Sequence, residues 1–361
     1  MKVAYFCDDR IISGTAAEEH IRAIAIAFHK HGHEVVLFTP QGGVSQIDGI
    51  SKIIEFDGKN ALMRAIKAMS SLKKNGPFDF IYLRYRGSQW MYLFSNTFRK
   101  YQKFVEINGI MEAEFNIPPI RRKLIQAIQK SLEKPFLEGS ACIFVTEHML
   151  EYYSKKYNIK HTRYIRNGTF ADEFSRKDAW SKKVKYKGVF VGSIVWWQGL
   201  NELITASSNI TNFELHVYGD GPDLESIKSL SEEINTKNIK FMGKVSPAHV
   251  RNILKEYDIG FATKSITNEE LSPLKLYQYW AAGLPVIATN LSGMELVEKI
   301  QGGLLYQSGN TDDLRSKIIS AFENIDSLEQ MGQNGRKYVE SEGSWVRAGK
   351  ETVDFVNSII P

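Results

Sequence analysis

Cysteine is nearly absent from this chain. Two occur in 361 residues, Cys7 and Cys142, both inside strand-like apolar runs. That excludes a disulfide scaffold and reads as buried thiols in a reducing compartment. Long hydrophobic runs are missing as well. The longest, such as "GVFVGSIV" (188–195), have the length of a strand and fall well short of the ~20 apolar residues of a membrane span. No signal-peptide pattern stands at the start, where "MKVAYFCDD" enters a strand directly, so a cytoplasmic location is expected. Low-complexity tracts are absent too. What remains is ordinary globular material, 43% hydrophobic and 24% charged. A chain of this length has about two domains as a prior.

The net charge of +5 hides an asymmetry. Residues 1–170 hold 25 Lys+Arg against 16 Asp+Glu, a net of +9; the remainder holds 21 against 25, a net of −4. A basic half suggests an anionic partner, such as a membrane surface or a phosphorylated ligand. Nucleic acid would explain only that half, and no motif supports it.

Short apolar strands alternate with helical patterns along the chain. "KVAYFC" (2–7) leads to a helix over 15–32, where Thr15 and Glu18 form a capping box and Gly32 suits the exit. Strands follow at 33–39, 79–84, 103–108 and 141–146, with helices at 60–74, 88–101 and near 120–134. The stretch 168–186 turns polar and reads as a linker. The alternation then restarts from "GVFVGSI" to "PVIAT" (285–289). Residues 344–360 read as a final helix packed on the body. Continuous apolar strands alternating with helices predict α/β architecture with covered parallel sheets.

The stretch "NEELSPLKLYQYWAAGLPVIAT" (268–289) holds the densest chemistry. Ser272 is a good N-cap, Pro273 suits the first helical position, and Gly283 suits the exit. The helix is expected over 273–282. Its first turn offers unpaired N–H groups and a positive dipole end. Lys275 lies in that turn, Gln278 three residues on, and Glu270 just before the cap. Carboxylate, anion-binding amides with a lysine, and a neutral hydrogen-bonding side chain match the order of a nucleotide sugar: sugar hydroxyls, diphosphate, ribose. A plain capped surface helix would carry the same residues.

"EELSPLKLYQYWAAGLPVIAT" resembles the donor-site signature of glycosyltransferase family 4 (group 1), retaining enzymes of the GT-B fold, in the version seen in many bacterial polysaccharide enzymes. That signature has two glutamates separated by seven residues. The first falls on Glu270; the second falls on Gln278, a departure. "MKVAYFCDDRIISGTAAEEHIRAIAIAFHKHGHEV", "RYIRNGTFADEF" (163–174), "VYGDGP" (217–222), "KFMGKVS" (240–246), "YDIGFAT" (257–263) and "SGMELVEKIQGGLLY" (292–306) resemble other segments of the family in order and spacing. The resemblance spans nearly the whole chain.

It implies two Rossmann-like parallel-sheet domains facing across a cleft, with the C-terminal helix packing back on the N-terminal domain. Residues 1–170, with the helix 344–361, would hold the acceptor; residues 185–341 would hold the donor. Glu270 and Lys275 would be the catalytic pair, Glu270 orienting the donor sugar and Lys275 stabilising the leaving diphosphate. Donor contacts would also come from Gly192, Ser193, Gln198, Lys244, Val245, Leu271, Ser272, Pro273, Leu274 and Gln278, with the base read near Lys244 and Val245. The family often has Arg and Lys where Ser193 and Gln198 stand here, so two charged phosphate contacts are missing. Trp196 and Trp197 either line the cleft or pack in a core.

On the acceptor side the candidates are Gly14 and Thr15, in the loop after the first strand, His20 on the helix that follows, and Glu106 and Asn108 ending "KFVEIN". Thr15 doubles as a helix cap and His20 as a core residue. No D-x-D pair is present; the "DD" pairs at 8–9 and 312–313 have the wrong spacing for a metal anchor. Neither metal nor cofactor is expected. The basic amphipathic stretch 118–137, with Arg121, Arg122 and Lys123, suits the surface of an anionic membrane as well as it suits a sheet-covering helix.

The expected function is transfer of a sugar from a nucleotide sugar, UDP-sugar favoured, to a glycan or lipid-linked acceptor in cell-surface polysaccharide synthesis. A nucleotide-sugar 2-epimerase of the same fold is the alternative enzyme. A binding relative without turnover is the alternative outside catalysis, and it would suit Gln278, Ser193 and Gln198.

Overall fold

The structure is a computed structural model that describes residues 1–109, 131–265 and 274–360. The chain forms two compact units, Met1–Arg166 with Trp345–Pro361, and Asn167–Ser344.

The first unit is built on seven parallel strands, in the order β3-β2-β1-β4-β5-β6-β7. They are β1 (Lys2–Cys7), β2 (Glu34–Pro40), β3 (Lys52–Phe56), β4 (Phe80–Arg84), β5 (Gln102–Ile107), β6 (Ala141–Phe144) and β7 (His161–Tyr164). Alternate side chains of each strand enter opposite layers, as the two-residue period requires. Ala4, Phe6, Ile81 and Leu83 face Ala65, Ala68 and Leu72 of the helix Ala61–Asn75. On the other face Phe28 of the helix Ala16–Lys30 meets Phe80 and Tyr82, and Phe355 of the helix Trp345–Asn357 meets Phe104. The final helix therefore belongs to the first unit. Gly349 permits the approach, since a Cβ there would lie 2.4 Å from the Ala27 methyl.

The second unit has six parallel strands in the order β10-β9-β8-β11-β12-β13. They are β8 (Tyr186–Val191), β9 (Phe213–Tyr218), β10 (Ile239–Gly243), β11 (Ile259–Ala262), β12 (Val286–Asn290) and β13 (Gly303–Gln307). Phe190, Leu215, Val217, Phe261 and Ile287 form one core layer. Val189, Ala262, Val286 and Ala288 form the other, against Tyr279 and Trp280 of the helix Leu274–Ala281. Both sheets have the doubly wound order. In each, the first strand (β1 or β8) and the fourth (β4 or β11) are neighbours whose onward connections diverge. Ligands bind at the carboxyl ends of such a pair.

Three sequence expectations change. The stretch 168–186 is not a free linker: Ala171 and Phe174 are buried in the second unit, and Lys177 and Lys183 both reach the buried Asp258. The helix expected at 88–101 is a 3-10 turn, Gln89–Phe94, and a short helix, Asn96–Arg99. Ser95 is extended between them and accepts a hydrogen bond from the Phe98 N–H, an N-cap that restarts the helix. β3 and β7 were not anticipated. Both are short, half-exposed edge strands whose apolar pattern is weak.

Candidate active site

In the second unit, the loop after β8 sits at the point where the connections diverge. It is tied to the β11 loop by main-chain and side-chain bonds. The Thr263 hydroxyl donates to the Gln198 carbonyl at 2.7 Å, the Ser265 N–H to the Trp197 carbonyl at 3.0 Å, and the Ser265 hydroxyl to the Trp196 carbonyl at 2.9 Å. The helix Leu274–Ala281 docks beside them. Leu276, Tyr277, Tyr279 and Trp280 are its buried face, and the Val191 N–H donates to the Tyr279 hydroxyl at 2.9 Å, fixing the helix to the end of β8. Gly283 closes it with φ +75°, its N–H on the Trp280 carbonyl and the Leu284 N–H on the Tyr279 carbonyl.

That docking decides where Lys275 goes. Its Nζ donates to Oε1 of Gln198 at 2.8 Å and lies 3.9 Å from the centre of the Phe190 ring. Gly192 borders it closely: a Cβ there would stand 3.1 Å from Nζ. Burial, and then the charge of Lys264, push the Lys275 ammonium well below the usual lysine range. Lys264 follows β11, its N–H donating to the Thr289 hydroxyl at 2.8 Å, and burial brings its pKa down to about 8. Among the described residues, neither lysine has a carboxylate partner. Two half-buried lysines with no carboxylate partner among the described residues are receptive to an anion.

The other donor-side candidates are placed around this pair. Leu274 and Gln278 are half-buried on the same helix, and Ser193 is exposed on the β8 loop. Lys244 is exposed just beyond β10, with Val245 half-buried beside it. The Gly219 N–H bonds the Gly243 carbonyl, which brings that loop to the end of β9. Trp196 and Trp197 are exposed at 68% and 42%, with rings edge to face, so they are not core. Gln198 accepts from Lys275 through its carboxamide oxygen. Glu270, Leu271, Ser272 and Pro273 lie outside the described residues, as do Arg121, Arg122 and Lys123. Lys264 was missed; nothing in "FATKS" marks it, and only the pairing of β8 with β11 brings it here.

The first unit carries a second polar cluster at its own divergence point. Cys7, Arg84 and Glu106 are in register across β1, β4 and β5. Glu106 is 1% exposed, and both its oxygens are taken. Oε1 accepts from Asn108 Nδ2 (2.6 Å) and Arg84 Nη1 (3.3 Å); Oε2 accepts from the Tyr82 hydroxyl (2.8 Å) and meets His20 Nε2 (3.1 Å). Burial alone would raise this carboxyl; His20, Arg84 and Asn108 outweigh it and hold the pKa at about 2. The His20 ring is buried and lies tilted against that of Trp345, centroids 4.7 Å apart, and the Trp345 Nε1 donates to Glu19. Glu106 and His20 thus support the edge from within. Thr15 caps its helix, accepting from the Glu18 N–H, while Glu18 takes the Gly14 N–H at 2.5 Å.

Closer to solvent on this edge lie half-buried Asn108, Asp8 and Asp9. Asp8 accepts from the Tyr92 hydroxyl at 2.5 Å, and burial pushes it up to about 6 against that bond. Asp9 pairs with Arg86 Nε at 2.5 Å. The signal for these two was the acidic pair directly after the first strand.

The family model "Glycosyl transferases group 1" matches residues 171–338, and "Glycosyltransferase Family 4" matches residues 17–172. An uncharacterized glycosyltransferase of Methanocaldococcus jannaschii, MJ1178, is 28% identical over 159 residues, 44% of either chain. The O-antigen biosynthesis glycosyltransferase WbnH of Escherichia coli is 25% identical over 166 residues, 45% of this chain and 46% of that one. The chain thus spans less than half the length of these curated relatives. Among solved structures, Anabaena HepE in complex with UDP-glucose superposes with a TM-score of 0.79 at 13% identity, covering 99% of this chain and 100% of that one. A glycosyltransferase from Rickettsia africae superposes with a TM-score of 0.77 at 18% identity, covering 99% and 98%. At these identities the superpositions establish the fold.

Proposed function

Because the chain belongs to the group 1, family 4 glycosyltransferases and has the GT-B fold, we propose that it moves a sugar from a nucleotide sugar to a glycan or lipid-linked hydroxyl in cell-surface polysaccharide synthesis. The observation that carries this reading is the Lys275 ammonium, desolvated between Gln198 and Phe190 with no carboxylate partner among the described residues. A diphosphate supplies the missing charge. UDP-sugar is the favoured donor, supported by the UDP and UDP-glucose complexes of HepE; WbnH, named for O-antigen biosynthesis, supports the polysaccharide setting.

In this reading Lys275 neutralises the leaving diphosphate as charge develops on it. Glu270 orients the donor sugar, Gln278 bonds the ribose, and main-chain groups near Lys244 and Val245 read the base. The first unit takes the acceptor at the open part of its edge, by Asn108 and Asp8. The anomeric configuration is retained. The bond from the anomeric carbon to phosphate oxygen breaks, the acceptor oxygen bonds on the same face, and the acceptor's proton goes to the departing phosphate oxygen. No metal is needed for this step.

The deciding experiment incubates UDP-, GDP- and ADP-sugars with and without lipid-linked glycan acceptors, each with EDTA. Acceptor-dependent transfer that survives EDTA is expected. Turnover of donor alone would indicate the epimerase, binding without turnover a non-catalytic relative, and loss restored by Mn²⁺ a metal-dependent mechanism.

We also place the basic unit against an anionic membrane. No helix among the described residues is long and apolar enough to cross one. Leu62 and Ile66, one turn apart on the helix Ala61–Asn75, are 58% and 61% exposed, and Phe94 on the adjoining 3-10 turn is 71% exposed. Ten Lys and Arg and a single acid, Asp79, lie between residues 59 and 103. Apolar side chains among many cations suit a surface-bound mode, alongside the contribution expected of Arg121, Arg122 and Lys123.

A further inference from the structure

The family pattern puts cations at the positions of Ser193 and Gln198, and this chain has none there. The structure has a cation elsewhere. Gln198 is held from two sides, its carbonyl by the Thr263 hydroxyl and its carboxamide oxygen by Lys275 Nζ. The residue after Thr263 is Lys264. Its N–H is fixed to Thr289, whose hydroxyl lies 2.8 Å from that of Tyr306, itself bonded to Glu202 at 3.2 Å. The Gly309 N–H also bonds that Glu202 oxygen. The main chain of Lys264 is therefore set on a rigid frame at the edge of β11, beside the loop that orients Lys275.

We propose that Lys264 is a second cation for the donor's diphosphate, relocated from the position of Gln198, and that Gln198 is a positioning residue that aims Lys275. This rests on the reading of the site as the donor site. The chemistry is consistent in three ways. Neither lysine is neutralised by a carboxylate among the described residues. Thr263, the residue before Lys264, holds the main chain of Gln198 while Lys275 holds its side chain, so the two lysines flank the same residue. A lysine at 198 would put a third ammonium where Lys275 has its acceptor, so a cation at 198 and one at 264 are alternatives rather than additions.

The test uses the full chain and four forms: wild type, Lys264→Gln, Gln198→Lys and the double variant. Each is titrated calorimetrically with UDP, with GDP and ADP in parallel, and melted without ligand. Lys264→Gln should weaken UDP roughly 10- to 100-fold, the loss of one charge-assisted contact. Its ligand-free melting temperature should hold or rise, because a half-buried cation with no carboxylate partner among the described residues has gone. Gln198→Lys should weaken UDP and lower the melting temperature. The double variant should recover most of the affinity. An unchanged Kd in Lys264→Gln overturns the proposal. A lowered melting temperature in that variant also overturns it, since Lys264 would then be a structural ion-pair partner, and so does a double variant no better than the weaker single one. A wild type that binds none of the three nucleotides overturns the donor-site reading itself.

Discussion

Arg84 Nη1 lies 3.0 Å from Nδ1 of His20. A guanidinium only donates, so this contact puts the lone pair of the ring on Nδ1 and its proton on Nε2, where Glu106 accepts it at 3.1 Å. Arg84 thus acts on Glu106 twice, directly and through the imidazole. The helix Ala16–Lys30 is thereby locked to β4 and β5 by polar contacts as well as by the Phe28 packing.

Glu106→Gln should destabilise the protein by about 3 kcal/mol, since it leaves Arg84 buried beside a neutral group. The pH dependence has a definite sign. Glu106 has a folded-state pKa of about 2, below its ordinary value. Its stabilisation is complete above pH ~4.5 and lost as pH falls toward 2. Thermal melts from pH 7 to 3 should show wild type and variant converging; parallel curves would show that Glu106 carries no such linkage.

Glu270→Ala should lower kcat strongly and leave UDP affinity nearly unchanged, because the role proposed for it is with the sugar. Lys275→Ala should weaken UDP itself by roughly tenfold or more. Steady-state kinetics with calorimetry distinguish the two, and the reverse pattern would mean that the donor lies the other way along this helix.

Nucleotide affinity should fall as pH rises above about 8, where ligand-free Lys264 loses its proton. Binding then requires proton uptake, which costs up to tenfold per pH unit for one group. Calorimetry between pH 7 and 9.5 measures this, and Lys264→Gln should make the slope shallower, removing one of the two lysines whose pKa is lowered in the ligand-free protein. The ligand-free fold should instead gain stability over that range, as the unfolded chain holds a proton that the folded one has released. A wild-type affinity flat to pH 9.5 contradicts the assignment.

Co-sedimentation with anionic vesicles should weaken with salt, with charge removal at Arg121, Arg122 and Lys123, and with Leu62, Ile66 and Phe94 each changed to Ser. A basic residue near such a surface is worth about 1 kcal/mol. Equal binding to neutral vesicles rejects the electrostatic docking.

The sheets were legible because their central strands are continuous apolar runs, and the helix carrying Lys275 because Gly283 ends it. Lys275 could be singled out from that local pattern. Its partner could not: Gln198 stands 77 residues away, and only the order of β8 beside β11 brings them together. Lys264 was invisible for the same reason. Glu106 was singled out from its place at the end of a strand, but its burial and the four contacts on its oxygens are tertiary facts that no local pattern shows. Thr15 and Glu18, whose capping is local, could be read directly.

The first unit is assembled from two stretches of chain separated by the whole of the second. On a ribosome this imposes an order. The face of the helix Ala16–Lys30 that carries Ala23 and Ala27 and meets Gly349 has no cover until residues 345–357 have emerged. The second unit is by then complete and able to fold, while the first, made earlier, is still waiting for its last layer. Maturation of the first unit is therefore the later event, and a nascent chain can hold a folded second unit while the first still lacks its closing helix.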